Sequence, residues 1–401
     1  MQIFKLTSFR WLYIAIVFLG TMSSFGLQAQ ISSTTITVKS LSVAPTGATA
    51  TPAAICTGSS TSLSVQGGFL GTGAIWNWYA DGCGTGGSIG TGPGITVSPT
   101  NVTTAPITRT YFVRAEGDCN TTTCAQVTVT INPTPNFTVP VNATYCVGDN
   151  VPVQALTGTP TGITFDITGG ADIGLADVTG VMQIPAFIAT NITNASITRT
   201  ITITPQGNGC TGAPQTFTIT VTPNVVITPI ASQILCNGTF TNAVTVSSNV
   251  ASGVTYNWTN DTPSIGLAAT GSGNIASFTA INTTCIDVVA TITVTPTVTD
   301  GSTDCTQSPV TFTYTVRPTP NGTITSNDPI CEGDQALLTF TSSCGTGPFG
   351  LDIRQDGVTP AQVYPGILSD APFNVTPNPT VPGVHTYDLM VITDFNGCIR
   401  Q

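Results

Sequence analysis

Charge is what this sequence has least of. Lys, Arg, Asp and Glu make up 7% of its 401 residues, where a soluble domain carries about a quarter. The net charge is −10, and Lys39 is the one lysine beyond the first thirty residues. Binding nucleic acid requires clustered cations against phosphate, so nucleic acid is excluded as a partner. His385 is the single histidine. A Ser-His-Asp or Cys-His arrangement would have to use it, and its place just before a strand marks it as an edge residue. No catalytic residue is therefore expected. There is no Cys-x-x-Cys, which with one histidine argues against a zinc site. No apolar run beyond the N-terminus is long enough to span a bilayer.

What the sequence does have is Thr, Gly, Pro, Val and Ile. This composition excludes a helical bundle and fits short strands joined by Gly, Pro and Asn turns. The N-terminus reads as a secretory signal over residues 1–29. Lys5 and Arg10 precede an apolar run from Trp11 to Gly20, and Leu27-Gln28-Ala29 offers a small residue for cleavage. The run is about ten residues, half of the roughly twenty a spanning helix needs. The mature chain is expected outside the cytoplasm, extracellular or on the outer cell surface, with no transmembrane segment after cleavage.

The chain repeats itself. Ile55-Cys56-Thr57-Gly58, Tyr145-Cys146-Val147-Gly148, Leu235-Cys236-Asn237-Gly238 and Ile330-Cys331-Glu332-Gly333 mark four starts, with cysteine intervals of 90, 90 and 95. About twenty residues later come the pairs Trp76/Trp78, Phe165/Ile167, Tyr256/Trp258 and Leu351/Ile353. Residues two apart share a face of a strand, so each pair is expected in the core of one sandwich. A penultimate strand, a cysteine-bearing turn and a last alternating strand close each repeat, and prolines such as Pro133, Pro223 and Pro318 mark the exits. The expected architecture is all-β: tandem immunoglobulin-like or PKD-like sandwiches at residues 30–132, 133–222, 223–317 and 318–401. The fourth is expected to be incomplete, since only Ile399-Arg400-Gln401 follow Cys398.

Twelve cysteines in an exported chain point to disulfides. One pairing joins the first and last cysteines within each repeat: Cys56 with Cys119 or Cys124, Cys146 with Cys210, Cys236 with Cys305, Cys331 with Cys398. Geometry objects, because in an immunoglobulin-like topology these two turns lie at opposite ends of strands about 17–20 Å long, while bonded Cα atoms lie within about 7 Å. The alternative pairs Cys56–Cys83, Cys119–Cys124, Cys236–Cys285 and Cys344–Cys398, leaving Cys146, Cys210, Cys305 and Cys331 free.

Other candidates are thin. Asp149, Asp166, Asp172 and Asp177 can contribute oxygens to a calcium site, with Asp300 and Asp304 a second set, although Asp in turns ordinarily caps backbone amides. Asn101, Asn191 and Asn282 open Asn-x-Thr triplets, which a threonine-rich chain produces by chance. Trp76 and Trp78 face one way, into the core. Tyr79, on the other face, is the more accessible ring for a carbohydrate. No cofactor is expected beyond that possible calcium.

Tyr111-Phe112-Val113-Arg114-Ala115-Glu116-Gly117 with Trp76-Asn77-Trp78-Tyr79 resembles the Ig-like modules of large secreted Bacteroidetes surface proteins. Tyr387 to Cys398 resembles the strand and turn that close a PKD-like module of the same proteins. The resemblance spans nearly all of the mature chain. It implies a non-catalytic surface protein associated with gliding motility or adhesion and with type IX secretion, although the C-terminal sorting domain common in such proteins is not present. The expected partner is an unidentified surface ligand, protein or polysaccharide. The alternative is a carbohydrate- or protein-binding accessory segment of a larger secreted enzyme.

Overall fold

The computed structural model describes residues 33–401; the signal expected at residues 1–29 lies outside the described residues. The chain separates into two compact units. One holds residues 33–49, 64–95 and 111–127, and the other holds residues 50–63, 96–110 and 128–401.

In the first unit the strand Ile75–Ala80 is central, with Gly90–Thr91 on one side and residues 111–116 of Ile107–Glu116 on the other. Trp78 is fully buried and lies opposite Val113, which is also fully buried. The strand is covered on both faces: Trp76 is 6% exposed, Asn77 8% and Tyr79 5%. The accessibility expected of Tyr79 is therefore corrected.

The second unit carries large apolar cores in sequence, from Phe137 to Val221, from Ile227 to Val316 and from Ala336 to Ile392, with a smaller cluster of Val225, Val250, Val298 and Cys305 beside them. The first two are built to one plan. Ala143–Tyr145 pairs parallel with Gln215–Val221, which pairs antiparallel with Ile197–Gly207, then Thr164–Thr168, then Val178–Val181. Gln233–Cys236, Val310–Arg317, Val288–Asp300, Val254–Asn260 and Thr270–Ser272 follow the same order. Alternating Ile and Thr explain these sheets. Ile201 and Ile203 are fully buried while Thr200 is exposed and Thr202 and Thr204 half-buried, the period of a strand with one covered face. Phe165 and Ile167 are in the first core, with Phe137 edge-on to Phe165 at 5.2 Å. Trp258 is buried in the second, with Tyr256 half-buried against it.

The third core takes Leu351 and Ile353 from Phe349–Gln355, which lies between Gln362–Ile367 and Tyr387–Thr393. After Cys398, Ile399–Arg400 forms a two-residue strand on Tyr387–Thr393. The opening strand also pairs parallel with the last strand at Ala54–Cys56, set against residues 130–132. Among the described residues, no helix is long and apolar enough to cross a membrane.

Candidate functional site

The parallel opening strand decides where the cysteines go. Tyr145 sits beside Val221, so Cys146 emerges at the exit end of the last strand. Cys210 sits beside Gly207, at the entry end near Gln215. Six residue steps of strand, about 20 Å, separate the two ends. Both pairings expected from the sequence are therefore corrected, because each kept its partners inside one repeat. The structure pairs Cys56 with Cys210, Cys146 with Cys305 and Cys236 with Cys398, over Cα separations of 5.6, 5.4 and 5.4 Å. Each of these three opening cysteines is bonded to the closing cysteine of the following repeat. Cys285–Cys344 adds a bridge between the third and fourth repeats, and Cys83–Cys124 lies within the first. Cys119 and Cys331 are free and exposed.

The same backbone groups recur around these bridges. Asn132, beside Cys56 in the parallel pair, donates through Nδ2 to the Asn208 carbonyl at 2.8 Å. Arg317, beside Cys236, reaches the Asn396 carbonyl at 3.5 Å. Asn208 and Asn396 each stand two residues before a bonded cysteine. The opening turn is built alike as well. The Cys146 amide donates to Asp149 Oδ2 at 2.8 Å, and the Asp149 amide returns to the Cys146 carbonyl at 3.0 Å. Gly148 completes the turn at φ +91°, a conformation that a Cβ disfavours.

Three asparagines that the sequence reading passed over as chance triplets are structural. Asn191 is 5% exposed and donates through Nδ2 to the Ala195 and Val221 carbonyls, both at 2.8 Å, while its Oδ1 accepts from the amide and hydroxyl of Thr193. Asn101 makes the same bonds to Ala105, Ile131 and Thr103, and Asn282 to Ile286, Val316 and Thr284. Each ties the loop before the penultimate strand to the end of the last one. That loop then reaches the next repeat: Asn194 Oδ1 accepts from Asn249 at 2.8 Å, and Cys285 bonds Cys344. The signal that could have found them was their fixed place in the repeat, about 45 residues after each opening cysteine.

Around Tyr79 the first unit gathers a polar cluster. Glu116 accepts from the Tyr79 hydroxyl, from Arg114 Nε at 2.6 Å and from Asn77 Nδ2 at 3.0 Å, with the Arg114 guanidinium 5.2 Å over the Tyr79 ring. The Tyr79 bond, then the Arg114 bond and charge, hold the Glu116 carboxyl below its usual range. Burial, then the neighbouring carboxylate, pushes the Tyr79 hydroxyl up. The arrangement fixes the ring and leaves no open face. Two glycine spacings in the adjoining loop, Gly82-Cys83-Gly84-Thr85-Gly86-Gly87 and Gly86-Gly87-Ser88-Ile89-Gly90, match short nucleotide and nucleophile patterns. Neither opens a helix; Cys83 is bonded to Cys124, and Ser88 Oγ is bonded to the Asn77 side chain and the Gly90 carbonyl.

The candidate calcium ligands do not converge. Asp149 caps the Cys146 amide, Asp166 accepts from the Gly180 amide and Gln206, Asp177 accepts from the Gly169 amide, and Asp172 pairs with Arg199. Asp304 accepts from Thr299. Among the described residues no group of three carboxylate, His or Cys side chains is placed to hold a metal, so the calcium set is corrected to four separate turn and ion-pair roles. His385 is held at both nitrogens, Nδ1 at 2.7 Å from Asp356 and Nε2 at 2.8 Å from the Val381 carbonyl. The Asp356 bond and then the Val381 carbonyl raise its pKa above 6.5. A ring held this way clamps Val381 to Asp356 and has no nitrogen free for proton transfer.

Residues 43–133 match the sequence family described as an Ig-like domain, CHU_C associated. No curated protein matches the chain significantly. Among solved structures it is similar to Sidekick-1 immunoglobulin domains 1–5, at 12% identity and a TM-score of 0.27 over 70% of this chain and 60% of that one. It is also similar to the N-terminal eight Ig domains of Down syndrome cell adhesion molecule, at 14% and 0.24 over 80% of this chain and 47% of that one. The ectodomain of human desmocollin-1 matches at 12% and 0.25, over 88% of this chain and 78% of that one. The chain is an all-β protein of tandem Ig-like sandwiches.

Proposed function

We propose that this chain is a non-catalytic structural and adhesive protein of the extracellular space or outer cell surface, exported by a signal at residues 1–29. Its four repeats, residues 30–132, 133–222, 223–317 and 318–401, act as successive domains that present loops to a protein or polysaccharide ligand. The observation that carries this reading is the run of bridges from Cys56, Cys146 and Cys236, each to the next repeat's closing cysteine. Such bonds persist only in an oxidising compartment. They also shorten the covalent path. From Cys56 the path crosses to Cys210, follows 26 residues to Cys236, and crosses to Cys398. Tension applied at the ends is carried by that path, whereas a catalytic scaffold has no need of it. The gliding or adhesive setting implied by the family resemblance fits a protein under shear.

The test is made on producing cells. External protease and antibody should reach the chain on intact cells, and deleting the gene should reduce cell retention on a surface under flow. A chain found only inside the cell, or retention unaltered by the deletion, would remove the proposal.

A further inference from the structure

Asn208, Asn237, Asn321 and Asn396 are each followed by glycine. In such a pair the glycine amide can attack the asparagine side chain before it, because no Cβ hinders the approach. The fold treats the four differently. Asn237 is held at both ends, Nδ2 donating to Thr319 Oγ1 at 2.9 Å and Oδ1 accepting from the Asn282 amide at 2.8 Å. The Gly238 amide is spent as well, on the Ala280 carbonyl at 2.8 Å. Asn321 begins the strand Asn321–Ser326, where the buried Gly322 gives its amide proton to Asn321 Oδ1 at 2.9 Å. The Gly397 amide donates to the Asp394 carbonyl at 3.0 Å.

Asn208–Gly209 is the exception. The two residues form the turn between Ile197–Gly207 and Cys210–Thr211, at φ +51° and +76°, the left-handed values of a two-residue hairpin. Both are exposed, and a Cβ at Gly209 would meet nothing within 4 Å. Among the described residues, neither the Asn208 side chain nor the Gly209 backbone amide has a hydrogen-bond partner. The one bond the Asn208 residue does make favours reaction. Asn132 Nδ2 donates to the Asn208 carbonyl at 2.8 Å. That carbonyl shares a peptide group with the Gly209 nitrogen, so a donor on it withdraws electron density and makes the amide proton more acidic.

We infer that Asn208 is a site of spontaneous deamidation and converts ahead of the other three. The deprotonated Gly209 nitrogen attacks Asn208 Cγ, the Cγ–Nδ2 bond breaks, and the side-chain nitrogen leaves as ammonia. Water then opens the cyclic imide at either carbonyl, giving an aspartyl or an iso-aspartyl residue; the sum is one water consumed and one ammonia released. Either product places a negative charge two residues before Cys210, which is 2% exposed and bonded to Cys56. The iso-aspartyl product also lengthens the turn by one carbon and takes the carbonyl held by Asn132 out of the main chain. The reaction runs one way, so the converted fraction records the age of the chain at this bridge, whatever its surface ligand.

The experiment ages the secreted, disulfide-bonded chain in mildly alkaline buffer and maps its peptides with electron-transfer fragmentation, which separates aspartyl from iso-aspartyl products. A second sample is reduced and kept in guanidinium chloride. The unfolded chain should convert all four asparagines at similar rates. In the folded chain Asn208 should convert first, and faster as pH rises. Asn237, Asn321 and Asn396 should be about tenfold slower or more, since the hydrogen bond on each glycine amide must first break. Asn208→Gln, whose longer side chain would need a larger ring, should remove the earliest acidic form on isoelectric focusing of the folded chain. An Asn208 that stays an amide in the folded chain while converting in guanidinium would overturn the inference. So would a folded chain in which any of the other three converts first.

Discussion

Cys146 and Cys305 are 159 residues apart in sequence and 5.4 Å apart at Cα. One leaves the end of an opening strand and the other closes the hairpin of the next repeat. In the chain-entropy account, a loop of this length constrains the unfolded chain by roughly 5 kcal/mol. The double substitution Cys146→Ser/Cys305→Ser should lower unfolding stability by an amount of that order. Equilibrium denaturation of the variant against wild type measures it, and an unchanged midpoint would show that the bridge does not constrain the unfolded chain.

Asn191 is the second test. Asn191→Ala leaves the Val221 and Ala195 carbonyls without their donor and removes the acceptor for Thr193. Each buried group left unsatisfied costs about 1–3 kcal/mol, so a loss of roughly 2–4 kcal/mol is expected in urea denaturation. Asn191→Asp should be worse at neutral pH than in acid, since its carboxylate would face two carbonyl oxygens. Equal stability of the Asp variant at both pH values would contradict the geometry.

The fourth repeat should have its own pH window. His385 has a folded pKa raised above 6.5, so its contribution is fully present below 6.5 and is lost as pH rises through the raised value. Asp356 is lowered below 3.8, first by His385 and then by the Thr386 amide. Its contribution is present above 3.8 and lost as pH falls through the lowered value. The pair therefore stabilises most between 3.8 and 6.5. Protection of the Thr386 amide, which donates to Asp356, should be greatest in that window relative to its intrinsic exchange rate, and His385→Ala should flatten the dependence.

Calcium should leave the chain unaffected. Asp166 and Asp172 are spent on Gln206 and Arg199, so a melting temperature that rises with added calcium would contradict the separate roles assigned to them.

The architecture was legible because strand burial has a period of two, and Trp76/Trp78 or Phe165/Ile167 display it whatever their neighbours do. Repeat spacing was legible for the same reason: cysteine intervals need no three-dimensional information. The bridges were not. The geometric objection to Cys146–Cys210 was sound, since parallel pairing of Ala143–Tyr145 with the last strand places the two cysteines at opposite ends. The error lay in seeking the partner inside the same repeat. Opposite ends of one sandwich are adjacent ends of two, and sequence spacing holds no record of which repeats touch. Tyr79 was misread because alternation assigns a face without saying whether that face is covered. Here Glu116 and Arg114 cover it.

The central claim is that tension runs through the bridges, and stretching a single molecule held by its two termini tests it directly. With the disulfides intact, the segment from Cys56 to Cys398 should extend to no more than the 26 residues between Cys210 and Cys236 allow, about 90 Å at 3.3–3.6 Å per residue. Reduced, the same segment should release its full contour, about 1,200 Å by the same rise. Equal extension of the oxidised and reduced chains would contradict the account.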